Sequence, residues 1–403
     1  MQKAEGRMQK VLLISAFCLQ ASAFVGANAA AQSLATKIDA AVATPPFDHA
    51  IWGIEVEDEA GSVLYARNGH VLMIPASNRK LFSAATDVNC IGLDTRLTTE
   101  LWLDGNDVIL RGGGDPSFAG TRHESPGIAP FVNALRARGV RQVHDVIADV
   151  SRFSDRITIP GGWKVGNLPS DYSAPVDALA FNENVAGDHS VADAALFAAQ
   201  QLRDAIAFAG IRVDGVVRLN TAPRRWATPV ATVQSPMLAQ LLFTVLKNSH
   251  NLYAEMLFKR SSPSGSYEES ERLERRFAID EAHVDPAEFR FVDGSGLAPD
   301  DLVTPAAIVK ILRWMNAPER RATWWMILAQ PGSEGTLHGR LKDLAGRLVG
   351  KTGSINGVNA LSGIVRGTDG GYRYFSIILN HHLADGVDAV HALDAIASEV
   401  AKF

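Results

Sequence analysis

Strand-forming runs lie near both ends of this 403-residue chain, with helix-forming segments between them. Ile51 to Glu57 alternates well enough for a strand, Asp58-Glu59-Ala60-Gly61 supplies a turn, and Ser62 to Ala66 returns. Far downstream, Arg347 to Lys351, Leu361 to Val365 and Tyr374 to Leu379 read as strands, the last two joined at Thr368-Asp369-Gly370-Gly371. Between them, Leu238, Leu241, Leu242 and Val245 mark one helix face, Leu252 to Phe258 resumes helically, and Thr304-Pro305 caps another helix. Val387 to Lys402 closes the chain as a helix with Val390, Leu393, Ile396 and Val400 inward. A helix cluster packed on an antiparallel sheet drawn from both chain ends is an α+β layout.

The stretch from Asp94 to Pro229 has another texture. Strand-like Leu101 to Leu103 and Val108 to Leu110 flank an Asp-Gly turn, and helices are expected over Gly127 to Arg138 and Val191 to Ala209. Strand-like runs follow each helix, at Val143 to Val150 and at Ile211 to Leu219. The expected organisation is a principal domain over 32–93 and 230–403, with a smaller inserted α/β domain at 94–229.

Residues 1–31 read as a secretory signal. Lys3, Arg7 and Lys10 precede an apolar run, and Ala27-Asn28-Ala29 and Ala29-Ala30-Ala31 offer small-x-small cleavage sites. The run is about 15 residues long and contains Gln20, short of the roughly 20 needed to span a bilayer. The expectation is therefore an exported protein, periplasmic or in the cell envelope, without a stable transmembrane anchor. Removing the signal leaves Cys90 as the one cysteine, so no intramolecular disulfide is possible. Net charge falls from −5 to about −7. With no Lys/Arg cluster, that argues against a nucleic-acid partner.

Three short motifs carry chemistry. In Ser77-Asn78-Arg79-Lys80, at an expected helix start, residues three apart share a face, so Lys80 can reach the Ser77 hydroxyl. Burial and a nearby cation would lower the Lys80 pKa and make it a base. Ser249-His250-Asn251 falls in a break between helices, where Ser249 can relay a proton and Asn251 can bind an amide. Lys351-Thr352-Gly353-Ser354 ends a strand; cation, hydroxyls and a glycine there suit a substrate backbone with its carboxylate alongside. Each motif alone has an ordinary reading, as surface residues, a helix cap or a strand-end turn. Their order together is the signature of penicillin-recognising serine enzymes.

About 170 residues separate Ser77 from Ser249, roughly 100 more than a minimal enzyme of this kind needs, matching the insertion. The chain resembles the class C penicillin-binding proteins, the D-alanyl-D-alanine carboxypeptidase/endopeptidases. The phrases that carry the likeness are Pro75 to Leu81, Gly113-Gly114-Asp115-Pro116, Ala174 to Leu179 with Asn182-Glu183-Asn184, and Asn251 to Glu255. Asp293 to Leu297, Val303-Thr304-Pro305, Gly335-Thr336-Leu337 with Arg340, and Lys351 to Ser354 leading into Val358 to Gly363 extend it. It departs at Ser354, where Thr is frequent, and at His250, where Asp is common.

The resemblance implies a penicillin-binding/β-lactamase-like transpeptidase domain and hydrolysis of the D-Ala-D-Ala end of peptidoglycan stem peptides. Ser77 would be the nucleophile and Lys80 its base, with Ser249 and Lys351 returning the proton. Asn251, Thr352 and Ser354 would bind substrate, and the N–H groups of Ser77 and Ser354 would form an oxyanion hole. It implies no cofactor or metal, and β-lactams as covalent inhibitors. A β-lactamase or esterase of the same fold, and a non-catalytic peptidoglycan sensor, are the alternatives. Adjacent His381-His382 makes a poor metal site, since neighbouring residues point apart.

Overall fold

The computed structural model describes residues 34–220 and 229–403. The signal reading at 1–31 lies outside the described residues. Helix α1 (34–42) leads to the hairpin β1 (Ile51–Asp58) and β2 (Val63–Arg67), then to a 3₁₀ turn, Ala76–Arg79, running directly into α2 (Lys80–Ile91). The chain next passes through β3 (Arg96–Asp104), β4 (Asp107–Gly112), α3 (Ala129–Ala137), β5 (Val146–Asp149), α4 (Ala194–Phe208), β6 (Val217–Asn220) and β7 (Ala231–Met237). It returns through α5 (Leu238–Lys247), α6 (Asn251–Arg260), α7 (Tyr267–Asp280), α8 (Pro305–Met315) and α9 (Arg321–Ile327). Three strands, β8 (Leu348–Ile355), β9 (Val358–Arg366) and β10 (Tyr372–Asn380), precede α10 (Gly386–Val400).

The first sheet has the order β8-β9-β10-β1-β2 and is antiparallel throughout. Its central strands are buried on both faces, and the period of two sorts their side chains cleanly. Leu361, Phe375, Ile377 and Leu379 join Leu34, Ile38, Leu393 and Ile396 of the terminal helices in one core. Ala360, Ile364, Tyr374 and Ile378 face the other way, onto Leu81, Leu242 and Ile308 of the helix cluster. Both chain ends are therefore needed to close one layer, and the architecture is α+β.

A second sheet has the order β6-β5-β4-β3-β7. Pairs β6/β5 and β5/β4 are parallel, whereas β4/β3 and β3/β7 are antiparallel. Helix α4, started by an Asp193 carboxylate that accepts the Leu196 N–H at 2.8 Å, packs on β5 and β6. This sheet has its own core around Leu110, Phe131, Val146 and Leu202, into which α6 sends Leu252 and Met256. Tyr253, Ala254 and Leu257 of α6 belong to the principal core instead. Helix α6 is thus apolar on two sides and shared between the two cores. No helix among the described residues is long and apolar enough to cross a membrane.

Ile377 is fully buried and opposes both Ile54 and Leu361 in the ladder. Ile377→Ala should lower stability by about 2–5 kcal/mol, read as a lower urea midpoint with an unchanged m-value.

Candidate active site

The 3₁₀ turn ahead of α2 buries Ala76, Asn78 and Arg79 and leaves Ser77 partly open to solvent. Ala76 holds φ +47°, a left-handed conformation that a non-glycine residue adopts only under surrounding constraint. Two glycines apply it. A Cβ on Gly296 would lie 2.0 Å from the Ala76 carbonyl oxygen; one on Gly353 would lie 2.8 Å from the Pro75 carbonyl oxygen and 3.1 Å from the Ser77 nitrogen. Strand β8 and the loop at 293–298 therefore press directly on the turn that presents Ser77.

Lys80 is completely buried, and its Nζ donates to Ser77 Oγ at 2.9 Å, Asn251 Oδ1 at 2.6 Å and the Ser295 carbonyl at 2.6 Å. All three acceptors are neutral. Burial, helped by the Arg79 cation and opposed by Asp293, Glu255 and Asp301 farther off, pulls the Lys80 ammonium down to about 7. At neutral pH the amine is substantially free to accept the Ser77 proton.

Lys351, also fully buried, donates from Nζ to Ser249 Oγ at 2.9 Å and to the Thr352 carbonyl at 2.7 Å. Burial, then the charges of Lys80 and Arg340, hold it well below the ordinary lysine value. Ser249 has φ +61° in the bend between α5 and α6. Asn251 opens α6 with both ends of its carboxamide engaged: Oδ1 accepts from Lys80, and Nδ2 donates to the Tyr172 carbonyl at 2.8 Å. Thr352 is half-buried and Ser354 exposed on β8, where Asn359 Nδ2 donates to Ser354 Oγ at 3.4 Å and buried His382 contacts the Asn359 carboxamide at 2.8 Å.

Two cavities flank Ser77. One, of about 410 Å³, runs from Ser77, Ser249 and Asn251 to Lys164, Asn167 and Tyr172. The other, of about 250 Å³, is bordered by Thr336, Arg340, Thr352 and Ser354. Ser77, Ser249 and Ser354 border both, so the three motifs meet at one cleft.

Several contributors have roles that the motifs do not state. The Ser295 carbonyl is aimed by Asp293, whose carboxylate accepts from the N–H groups of Ser295 (3.0 Å), Gly296 (2.7 Å) and Ala298 (2.9 Å) and from Trp163 Nε1 (2.9 Å). Arg79 lies buried between the Phe258 and Phe291 rings, forks onto Glu274 at 2.5 and 3.0 Å, and donates from Nε to the Asp293 carbonyl at 2.9 Å. Lys164, Asn167 and Tyr172 sit at or in two short 3₁₀ turns with no signature of their own. Arg340 stands in a phrase the sequence already marks; here it forks onto Asp394, closest at 2.7 Å. His250 points away from the cleft's lysines to Glu183, at 3.2 Å, which Arg122 also meets at 3.0 Å.

Gly353→Val would force β8 off the Ser77 turn. The expected result is acylation slowed by at least about 10²-fold with little change in the far-ultraviolet spectrum, since small displacements of reacting groups cost that much. A profile of Ser77 reactivity against pH should rise through about 7, as the fraction of deprotonated Lys80, the form able to accept a proton, grows past that value.

Comparison with known proteins agrees with this geometry. The family described as D-Ala-D-Ala carboxypeptidase 3 (S13) matches residues 34–189 and 185–400. A D-alanyl-D-alanine carboxypeptidase of Actinomadura sp. (strain R39) is 27% identical over 91% of this chain and 84% of its own length. Carboxypeptidase DacB of Mycolicibacterium smegmatis is 29% identical with the same coverage. In fold, the chain is similar to penicillin binding protein 4 (dacB) of Haemophilus influenzae, with TM-score 0.80 and 18% identity over 91% of this chain and 99% of that one; that protein is also described complexed with a β-lactam. The chain thus has the fold of penicillin binding protein 4, and it belongs to the D-Ala-D-Ala carboxypeptidase 3 (S13) family of serine hydrolases.

Proposed function

We propose that Ser77 is the acylated nucleophile of a D-Ala-D-Ala carboxypeptidase acting on peptidoglycan stem peptides. The observation that carries this reading is the double contact: Lys80 Nζ at 2.9 Å from Ser77 Oγ, and Lys351 Nζ at 2.9 Å from Ser249 Oγ. Neutral Lys80 takes the Ser77 proton while Oγ attacks the carbonyl of the penultimate D-Ala. The Ser77 and Ser354 N–H groups hold the oxyanion. Close approach of β8 to the turn, which Gly353 permits, supports that pairing.

The terminal D-Ala carboxylate lies beside Lys351, Thr352 and Ser354. Its charge favours the protonated form of Lys351, so binding itself loads the proton that Ser249 relays to the departing amine. The C–N bond breaks and D-Ala leaves; Lys80 releases the proton it took to solvent, then accepts one from the water that attacks the Ser77 ester and passes it to Ser77 Oγ as the ester bond breaks. Asn251 Nδ2 passes from the Tyr172 carbonyl to a backbone carbonyl of the stem peptide. β-Lactams mimic the scissile amide and acylate Ser77. The enzyme works in the periplasm or cell envelope, in keeping with the signal read at 1–31.

The same chemistry accepts a cross-linked substrate if the cavity beside Arg340 and Thr336 admits the longer leaving amine, which is the endopeptidase form of the reaction. Defined muropeptides, followed by mass spectrometry, separate the two: free D-Ala from a pentapeptide for the first, monomers from a dimer for the second. Labelled penicillin should mark the wild type and leave Ser77→Ala unmarked. Lys80→Gln should acylate about 10²–10⁴-fold more slowly. Equal labelling of Ser77→Ala, or rapid nitrocefin turnover without D-Ala release, would overturn this assignment.

A further inference from the structure

Another polar cavity, of about 220 Å³, lies at the opposite end of α6 from Asn251. From Asn251 to Arg260 the helix rises about 14 Å, and no residue lining this cavity lines the two at Ser77. Its wall is rich in arginine: Arg96 and Arg111 from adjacent strands β3 and β4, Arg152 from the segment after β5, and Arg260 from the end of α6. Against these four cations the wall sets a single carboxylate, Glu100, one of whose oxygens accepts from Trp102 Nε1 at 3.0 Å.

The partners these arginines have are mostly neutral. Arg96 donates to the Ser235 carbonyl at 2.8 Å, and Arg152 to the Pro263 and Ser262 carbonyls, both at 3.0 Å. Arg111 reaches the Asp149 carboxylate only at 4.0 Å. Arg260 Nε is buried and meets no hydrogen-bond partner among the described residues. Burial pulls the Arg260 guanidinium down with no carboxylate opposing it. Burial, then the neighbouring charges of Arg260 and Arg111, opposed by Glu269, brings Arg152 down to about 10.

Clustered, partly desolvated guanidiniums are costly without a counter-charge. A tetrahedral oxyanion supplies one, with several lone pairs that match the planar N–H forks. We infer that this cavity binds a small phosphate-class oxyanion between the guanidinium groups of Arg111, Arg152 and Arg260. The ion would tie strand β4 and the segment after β5, both of the second sheet's unit, to the end of the helix that begins with Asn251. Free phosphate and an esterified phosphate of the cell envelope share the chemistry this cavity recognises.

Purified enzyme titrated with inorganic phosphate, against NaCl at equal ionic strength, should show a Tm higher by about 3 °C at a hundredfold excess over Kd. The phosphorus resonance of the ion should broaden in the presence of the protein. Arg260→Gln and Arg152→Gln should each remove most of both responses while labelled penicillin still marks Ser77. Glycerol phosphate and glycerophosphoglycerol run in parallel distinguish the sources: a response to phosphate alone assigns the free ion, and a response to the esters assigns the esterified form. Identical behaviour in phosphate and chloride overturns the site, as does an undiminished phosphate response in the two variants. If neither variant folds, a phosphorus line left sharp by the wild-type protein overturns it alone.

Discussion

Everything at this site depends on keeping one ammonium group dry. A lysine in water is protonated at neutral pH and useless as a base; Lys80, with its amine wholly buried, is brought to about 7. Relative to its ordinary value of 10.5, that displacement weakens the preference for the charged form by about 5 kcal/mol, leaving the two forms near balance at neutral pH. The contacts are consistent with that purpose. Its three hydrogen-bond partners among the described residues are neutral oxygens, from Ser77, Asn251 and Ser295, able to orient the amine without fixing its charge. A carboxylate in the same place would form a buried ion pair and hold the proton.

The carboxylates are nevertheless close by, and their own commitments explain why they do not undo the effect. Asp293 spends both oxygens on three backbone N–H groups and the Trp163 indole, which shapes the loop that aims the Ser295 carbonyl. Glu255 accepts from the Gly294 N–H and the Tyr267 hydroxyl, and burial raises its carboxyl to about 7, so its negative charge is itself reduced. Glu274 is engaged by Arg79. Arg79, one residue before Lys80, thus adds a fixed cation beneath the turn while its own charge is satisfied elsewhere.

The sequence makes the polar motifs legible because their geometry is local: Ser77 and Lys80 are one helical step apart, and Lys351, Thr352 and Ser354 share one strand. It hides what backbone atoms supply. Nothing about Ser295 or Tyr172 as residue types announces that their carbonyls will hold Lys80 and Asn251. The first sheet is readable from short, nearly continuous apolar runs bounded by turn residues near both chain ends, since both faces of its central strands are covered. The second is not. Val143 to Val150 reads as one strand, yet Gln142–Val143 pairs with Arg212–Val213 while Val146–Asp149 joins the five-stranded sheet. Between them Asp145 accepts from the Val216 N–H at 3.0 Å and from Arg218 Nε at 2.6 Å, bonds across 71 and 73 residues that no local pattern encodes.

Helix α6 shows why the second sheet belongs to the chemistry. Its first residue orients Lys80, its middle is divided between the two cores, and its last residue faces the arginine-lined cavity. Leu252 and Met256 cannot stay buried if the second sheet shifts, and α6 cannot follow that shift without carrying Asn251 away from Lys80. The Tyr172 carbonyl, from the same unit, holds the other end of that carboxamide. The His250–Glu183 contact adds a third tie one residue from both Ser249 and Asn251. A unit that supplies neither Ser77 nor Lys80 therefore fixes the distance between them and the Asn251 carboxamide, through packing at one helix and two hydrogen bonds at its start.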